Sequence, residues 1–193
     1  MVTAQAPARP ARLRLERPWR EHLALYRDLF EDPAVAAILR PGAPAGAGAE
    51  RAPAEILAAD IQHWQRHEFG PWVFSETVTG VFVGRGGLRR TTILDADAVE
   101  LLYALRPDSW GKRYATEMAM IAMVHARRLG LPEVVGFTAV GNRASQRVLE
   151  HAGFQFEAVF QHAGLPHWLG RATLGSRRAR GPARGHRSAS LER

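Results

Sequence analysis

The sequence contains no cysteine, and only one of its 26 basic residues, Lys112, is a lysine. Without cysteine the chain forms no disulfide, thiolate nucleophile or cysteine metal site. No run approaches the roughly 18 apolar residues that a membrane span needs. The first ten residues lack the apolar segment of a secretory signal. We therefore expect a cytoplasmic protein that does not enter a membrane.

The position of the net charge of +7 decides what that charge implies. Residues 171–193 carry seven arginines and one glutamate, whereas residues 13–170 hold seventeen basic and eighteen acidic residues. The positive excess therefore belongs to the ends of the chain and not to its folded part. The C-terminal stretch also lacks aromatic residues that would stack on bases, which argues against nucleic-acid binding.

The length of 193 residues suits one domain with extensions at both ends. We predict a disordered segment over residues 1–10, a domain over 11–174 and a basic, disordered tail over 175–193. Helices are expected within 18–39 and 54–68, and a β-hairpin after Trp72. We expect the glycines at 84, 86 and 87 to interrupt its second strand as a bulge, and residues 89–97 to form a polar turn.

The centre of the sequence predicts a strand, a loop and a helix. Val99–Leu105 is apolar apart from Glu100, and Pro107 and Gly111 follow it in a loop. From Lys112 onward apolar residues recur at helical spacing until Gly130. The first amides of a helix have no intrahelical partner, and the helix dipole adds positive potential there. This unit therefore predicts an anion-binding site.

A second unit of the same kind follows and makes the pattern specific. Residues 133–139 form a short apolar strand, and 141–145 (Gly-Asn-Arg-Ala-Ser) begin a helix that ends at Gly153-Phe154. These two stretches, together with residues 110–117 (Trp-Gly-Lys-Arg-Tyr-Ala-Thr-Glu), resemble the GNAT superfamily of acetyl-CoA-dependent N-acetyltransferases. Within it the sequence is most similar to the branch that includes the ribosomal-protein N-terminal acetyltransferases.

The resemblance implies a fold and a cofactor site. The fold is α/β with a mixed, mostly antiparallel sheet of six to seven strands, a splayed parallel central pair and flanking helices. Acetyl-CoA, as co-substrate, would enter between the splayed strands. Its pantetheine arm would pair with the strand edge and its pyrophosphate with the loop amides, which implies these residues: Tyr103, Ala104, Leu105, Trp110, Gly111, Lys112, Arg113, Tyr114, Ala115, Thr116, Asn142 and Ser145.

Two positions in the cofactor loop raise alternatives. The family loop usually has glycine where this chain has Arg113, because the backbone must approach the phosphate closely. Either Arg113 keeps helical dihedrals and turns its guanidinium onto a phosphate, or cofactor binding is weakened. We favour the first, since guanidinium and phosphate are complementary. Trp110 is expected to pack on the helix as an aromatic lid.

The second helix supplies two more candidates. Asn142 fits the N-cap, and the resemblance adds a hydrogen bond to the pantetheine arm. Many family members carry a tyrosine two turns later that protonates the leaving thiolate, but this chain has Leu149 there. Ser145 is then the available catalytic hydroxyl, with an ordinary helical serine as the alternative.

Direct transfer also needs a group that accepts the proton of the amine. Glu100 is the candidate base, because burial in an apolar strand raises the pKa of a carboxylate. A salt-bridged strand glutamate, or a water chain to bulk solvent, is the alternative. His63 and His67 lie four residues apart, but without a third ligand we predict no metal site.

The sequence thus predicts an N-acetyltransferase whose acceptor is a primary amine, either a protein N-terminus or a small molecule. The alternative is an acyl-CoA-binding regulatory module with the same fold and weak catalysis. Trp64 and Trp72 could face the acceptor, although burial in the core is the commoner fate of such residues. The sequence leaves open whether the chain forms a homodimer.

Overall fold

The computed structural model describes residues 11–39, 41 and 51–175. Five helices are present among them: α1 (Leu23–Phe30), α2 (Pro33–Leu39), α3 (Pro53–His67), α4 (Tyr114–Arg128) and α5 (Arg143–His151). The seven strands are β1 (Leu13–Glu16), β2 (Pro71–Glu76), β3 (Phe82–Ile93), β4 (Ala96–Leu105), β5 (Glu133–Ala139), β6 (Gln155–His162) and β7 (Leu165–Thr173). Apart from Gly175, the two segments predicted to be disordered lie outside the described residues.

The strands form a single mixed sheet in the order β1-β2-β3-β4-β5-β7-β6. Every neighbouring pair is antiparallel except β4 and β5, which run parallel and pair only at Glu100 and Val135. Beyond that point the two strands separate, and β5 pairs along its length with β7. The predicted α/β fold with a splayed central pair is therefore confirmed.

Strand β4 divides the molecule into two sides, because successive side chains point to opposite faces of a sheet. Leu101 and Leu105 pack into the core that contains α4 and α5. Ala104 packs instead into the core beneath α1 and α3, so Glu100 points to that side as well. We call the first side of β4 the cofactor side and the second the acceptor side, after the ligands that the sequence resemblance leads us to expect there.

The glycines of β3 do not interrupt it, contrary to the sequence prediction. The strand runs unbroken from Phe82 to Ile93, and its pairing with β2 shifts by one residue at Val83, where the bulge lies. A β-carbon on Gly84 would lie 2.3 Å from the backbone oxygen of Ala104. Glycine is needed there for close approach of two backbones, which is a packing role and not a break.

The polar turn predicted for residues 89–97 is also wrong. Strand β3 continues to Ile93, which pairs with Ala96, and the turn is confined to Leu94 and Asp95. Both turn residues have positive φ, 50° and 62°, as a two-residue hairpin turn requires. The polar residues before the turn belong to the strand because each pairs with a residue of β4 and because Thr91 and Thr92, although polar, are β-branched and favour strands. No helix in the described part of the chain is long and apolar enough to cross a bilayer.

Candidate active site

A cleft of about 530 Å³ opens where β4 and β5 separate. It lies between the beginning of α4, the beginning of α5 and the apolar side chains of α2. The structure gathers most of the predicted site residues around it: Glu100, Tyr103, Ala104, Leu105, Trp110, Gly111, Arg113, Tyr114, Ala115, Asn142 and Ser145. Lys112 and Thr116 do not line it.

The beginning of α4 forms one end of the cleft. The first amide of this helix with a backbone partner is that of Glu117, which donates to the Arg113 carbonyl over 3.2 Å. The amides of Tyr114, Ala115 and Thr116 precede it, at the positive end of the helix dipole. This is the arrangement that binds a phosphate or another anion, as the sequence predicted.

Arg113 corrects one expectation about this loop. It does not keep helical dihedrals: its φ of 65° and ψ of 14° are left-handed. Glycine adopts this conformation without cost. In arginine the β-carbon crowds the following carbonyl, so the conformation is strained. The loop therefore has the backbone of a glycine-containing loop, with a guanidinium added and with conformational strain.

The edge of β4 that faces the cleft presents its backbone polar groups. The Arg106 amide donates to the Val83 carbonyl of β3, so the alternating groups of Tyr103 and Leu105 point the other way, into the cleft. The indole N–H of Trp110 donates to the Leu105 carbonyl over 3.0 Å, and Trp110 is 41% exposed. Trp110 therefore occupies the Leu105 carbonyl, and the backbone N–H and C=O groups of Tyr103 remain available to a flexible ligand.

Asn142 is the N-cap of α5, as predicted. Its Oδ1 accepts a hydrogen bond from the Ser145 amide over 3.0 Å. This bond fixes the first turn of α5 against the cleft and places the Ser145 hydroxyl on the cofactor side.

A residue that the sequence did not suggest for proton transfer stands beside Ser145. The hydroxyl of Tyr103 lies 2.8 Å from the Ser145 hydroxyl and 3.2 Å from the Ser145 carbonyl, so its single proton has two acceptors on that residue. Burial raises the pKa of Tyr103 to about 12, and the hydrogen bond with Ser145 opposes that rise. Tyr103 is therefore a proton donor at any ordinary pH. The two residues are 42 positions apart, and no spacing rule joins them.

On the acceptor side, Glu100 is 5% exposed and its Oε2 accepts a hydrogen bond from Arg89 over 2.8 Å. The salt-bridged state that the sequence left as an alternative is thus present. Its other oxygen, Oε1, accepts no hydrogen bond from a described residue. Arg89 and Glu100 both line the cleft.

A second groove of about 450 Å³ lies on the acceptor side between α3, α2 and β3, and shares Arg85 and Arg89 with the cleft. Beneath it Asp60, 2% exposed, accepts two hydrogen bonds of 2.6 Å from Arg85 and one of 2.7 Å from Tyr26. Burial lowers the pKa of Arg85 but the Asp60 charge raises it further, so the guanidinium stays charged. This buried network holds α1 and α3 on the sheet.

His63 is engaged within the fold. Its Nδ1 donates to the Phe69 carbonyl over 2.7 Å, and its Nε2 accepts from the Arg90 amide over 2.9 Å. Burial lowers the pKa of His63, which favours the neutral ring that these two bonds require. Among the described residues no group of three His, Cys, Asp or Glu side chains could hold a metal ion.

Trp64 and Trp72 lie in the core and do not line the groove on the acceptor side. They are 7% and 6% exposed, and their ring centroids are 5.5 Å apart. The Trp64 indole donates to the Pro71 carbonyl over 2.7 Å, which satisfies its buried N–H.

Comparison with known proteins gives this cleft its family. Residues 12–155 match the family model of the acetyltransferase (GNAT) domain. The chain belongs to the GNAT acetyltransferase family. It is an acetyl-CoA-dependent acetyltransferase, and the family's reaction is acetyl transfer to amines. The predicted superfamily, enzyme class and co-substrate are therefore confirmed.

Individual relatives agree with the family assignment. The chain is 30% identical over 173 residues to an FsC-acetyl coenzyme A-N(2)-transacetylase of Aspergillus fumigatus, with 82% of this chain and 69% of that protein covered. An Agrobacterium tumefaciens acetyltransferase structure matches with a TM-score of 0.69 and 21% identity, covering 89% and 96% of the two chains. A Salmonella typhimurium structure named as an acetyltransferase with its cofactor acetyl-CoA matches with a TM-score of 0.66 and 20% identity, covering 89% and 99%.

Proposed function

We propose that this GNAT protein transfers the acetyl group of acetyl-CoA directly to a primary amine, of a protein N-terminus or of a small molecule, in the cytoplasm. The observation that carries the proposal is the cleft itself. Strands β4 and β5 pair only at Glu100 and Val135, and the unpaired edge leads to the first amides of α4. The sequence motifs also support membership of the branch of ribosomal-protein N-terminal acetyltransferases.

The cofactor would be held mainly by backbone groups. The edge of β4 at Tyr103–Leu105 fits the amides of a pantetheine arm, and the amides of Gly111–Thr116 fit a pyrophosphate. The Asn142 side chain has its amide nitrogen left for the same arm, since only its oxygen caps α5. A flexible anionic ligand bound in this way requires little of the side chains along the loop.

The chemistry needs a proton acceptor and a proton donor. The amine nitrogen attacks the thioester carbon, a C–N bond forms, and the C–S bond breaks with its electron pair on sulfur. Glu100, through Oε1, takes one proton from the incoming ammonium, and Ser145 donates one to the leaving thiolate. A second proton of the attacking nitrogen returns to the serine and the third stays on the amide nitrogen, so the products are the amide, the free thiol and one released proton.

A second function, an acyl-CoA-binding regulatory module with weak catalysis, is favoured by Arg113. Its left-handed conformation strains the loop that would hold the pyrophosphate. The tyrosine that many family members use is replaced by Leu149. Release of free thiol from acetyl-CoA with a kcat of about 1 per second or more, in the presence of a primary amine, would eliminate this alternative.

Calorimetric titration of acetyl-CoA and desulfo-CoA tests the cofactor site. We expect micromolar binding that weakens by about tenfold in Asn142→Ala, or roughly 1.4 kcal/mol. Asp32→Ala is the matched control, because Asp32 caps α2 in the same way, accepting from the Ala34 amide over 2.8 Å. Absence of binding up to millimolar ligand, or equal weakening in both variants, would contradict the proposed site.

A further inference from the structure

The cleft and the acceptor-side groove meet at the pair of Arg89 and Glu100. The two residues stand directly opposite each other on β3 and β4, and Arg89 donates to Oε2 of Glu100 over 2.8 Å. The Arg89 side chain is 38% exposed, whereas that of Glu100 is 6% exposed. The pair thus combines a fixed carboxylate at the floor with a guanidinium that reaches the opening.

Both members of the pair keep unused hydrogen-bonding capacity. A guanidinium has five N–H donors, and Arg89 uses one of them on Glu100. Glu100 lines the cleft, and its Oε1 accepts no hydrogen bond from a described residue. The pair offers an acceptor of hydrogen bonds and a donor of them side by side.

We propose that the acceptor is a small amine that carries an acidic group, a carboxylate or a phosphonate, within a few bonds of its nitrogen. This inference rests on the proposed acetyltransferase function. The ammonium binds Oε1 of Glu100, and the acidic group binds the remaining N–H groups of Arg89. A guanidinium can form two parallel hydrogen bonds with a carboxylate or with a phosphonate.

The charges that line the groove support the same class of acceptor. Its described lining contains Arg51, Arg66 and Arg90, none of which pairs with a described carboxylate, and its described acid, Asp60, is neutralised by Arg85. A groove lined by uncompensated positive charge attracts anions and repels polycations. A polyamine, whose additional ammonium groups need acidic partners, is a poor match for this surface.

The test is a comparison of acceptors by thiol release. Glycine and the L-amino acids other than proline, all of them primary amines, are assayed beside their primary amides and spermidine, with kcat/KM corrected for the fraction of free amine. We expect the best free amino acid to exceed its own amide by at least about tenfold, since the amide loses the charge-assisted hydrogen bonds of the carboxylate. Spermidine should react more slowly than either.

Variants connect the preference to the pair. Arg89→Gln should reduce the acid-to-amide ratio to near one, and Arg66→Gln should reduce it by a smaller factor. Arg27→Gln, on the exposed face of α1 and outside both grooves, should leave the ratio unchanged. Because a ratio within one variant is compared, a general loss of activity or stability does not imitate the result.

The outcomes separate the two proposals. If amides or spermidine are acetylated as well as the acids, or if Arg89→Gln keeps the ratio, the acidic-acceptor inference is overturned while the acetyltransferase function stands. If acetyl-CoA binds and no amine on the panel is acetylated, the acidic-acceptor inference is overturned, and if peptides with free N-termini are not acetylated either, the acetyltransferase function is overturned with it.

Discussion

The two sides of β4 differ in the chemical groups that line them. On the cofactor side the site consists mostly of backbone groups, the edge of β4 and the first amides of α4, with Asn142 and Ser145 on α5. On the acceptor side it consists of charged side chains that are paired below the surface, Arg85 with Asp60 and Arg89 with Glu100. One chain thus contains a site specified by its fold and a site specified by its side chains.

The difference decides how each side responds to substitution. Backbone groups are supplied by any residue that keeps the conformation, and Arg113 has the left-handed backbone that glycine adopts. A buried ion pair has no such tolerance, because removal of one partner leaves an unpaired charge away from water. The acceptor side should therefore show the larger effects on stability, and the cofactor side the larger effects on turnover.

The largest expected effect is on folding, from Asp60→Asn. This change keeps the size of the side chain but removes the charge that faces the buried Arg85 guanidinium. We expect the free energy of unfolding to fall by about 3–5 kcal/mol. Urea denaturation measures it, with Asp28→Asn on the exposed face of α1 as the control. A loss under about 1 kcal/mol, as for a surface pair, would remove the contrast between the two sides.

The next effect is on turnover, from Ser145→Ala and Tyr103→Phe. If Tyr103 donates to Ser145 while Ser145 donates to the leaving thiolate, each change should lower kcat by roughly 10²-fold or more and leave the affinity for acetyl-CoA nearly unchanged. Because the pKa of Tyr103 is about 12, its proton is present throughout the assay range, and the loss should not depend on pH below that value.

A double variant separates this shared path from two independent effects. Ser145→Ala combined with Tyr103→Phe should be about as slow as the slower single variant, since both remove the same proton path. Tyr26→Phe is the control on the acceptor side, where the lost hydroxyl bonds Asp60. It should lower stability and leave kcat unchanged. Additive losses in the double variant would show that Tyr103 and Ser145 do not act together.

The sequence predicted the parts that depend on local pattern and not those that depend on tertiary contact. The bounds of β5 were predicted at Glu133–Ala139, as observed, because an apolar run bounded by turn residues fixes a strand. The contact of Tyr103 with Ser145 spans 42 positions, and no periodicity reports it. Glu100 was identified as a lone carboxylate, but its partner on β3 was hidden in a stretch interpreted as a turn.

Arg113 is the point where local pattern and fold disagree, and it gives the smallest predicted effect. Arginine in a left-handed conformation costs roughly 1–2 kcal/mol, and glycine removes that cost. Glycine also adds conformational freedom to the unfolded chain, which offsets about 0.4–1 kcal/mol. The strain is the larger of the two, so Arg113→Gly should stabilise the protein by up to about 1.5 kcal/mol in urea denaturation.

The matched variant is Arg113→Ala, which removes the guanidinium but keeps the β-carbon and therefore the strain. Its stability should stay close to that of the wild type, so the gain in Arg113→Gly is assigned to the backbone and not to the charge. A glycine variant less stable than wild type would mean that the loop is not strained at this position. In that case the strain argument for the regulatory alternative would fail as well, because the conformation of Arg113 would not destabilise the loop.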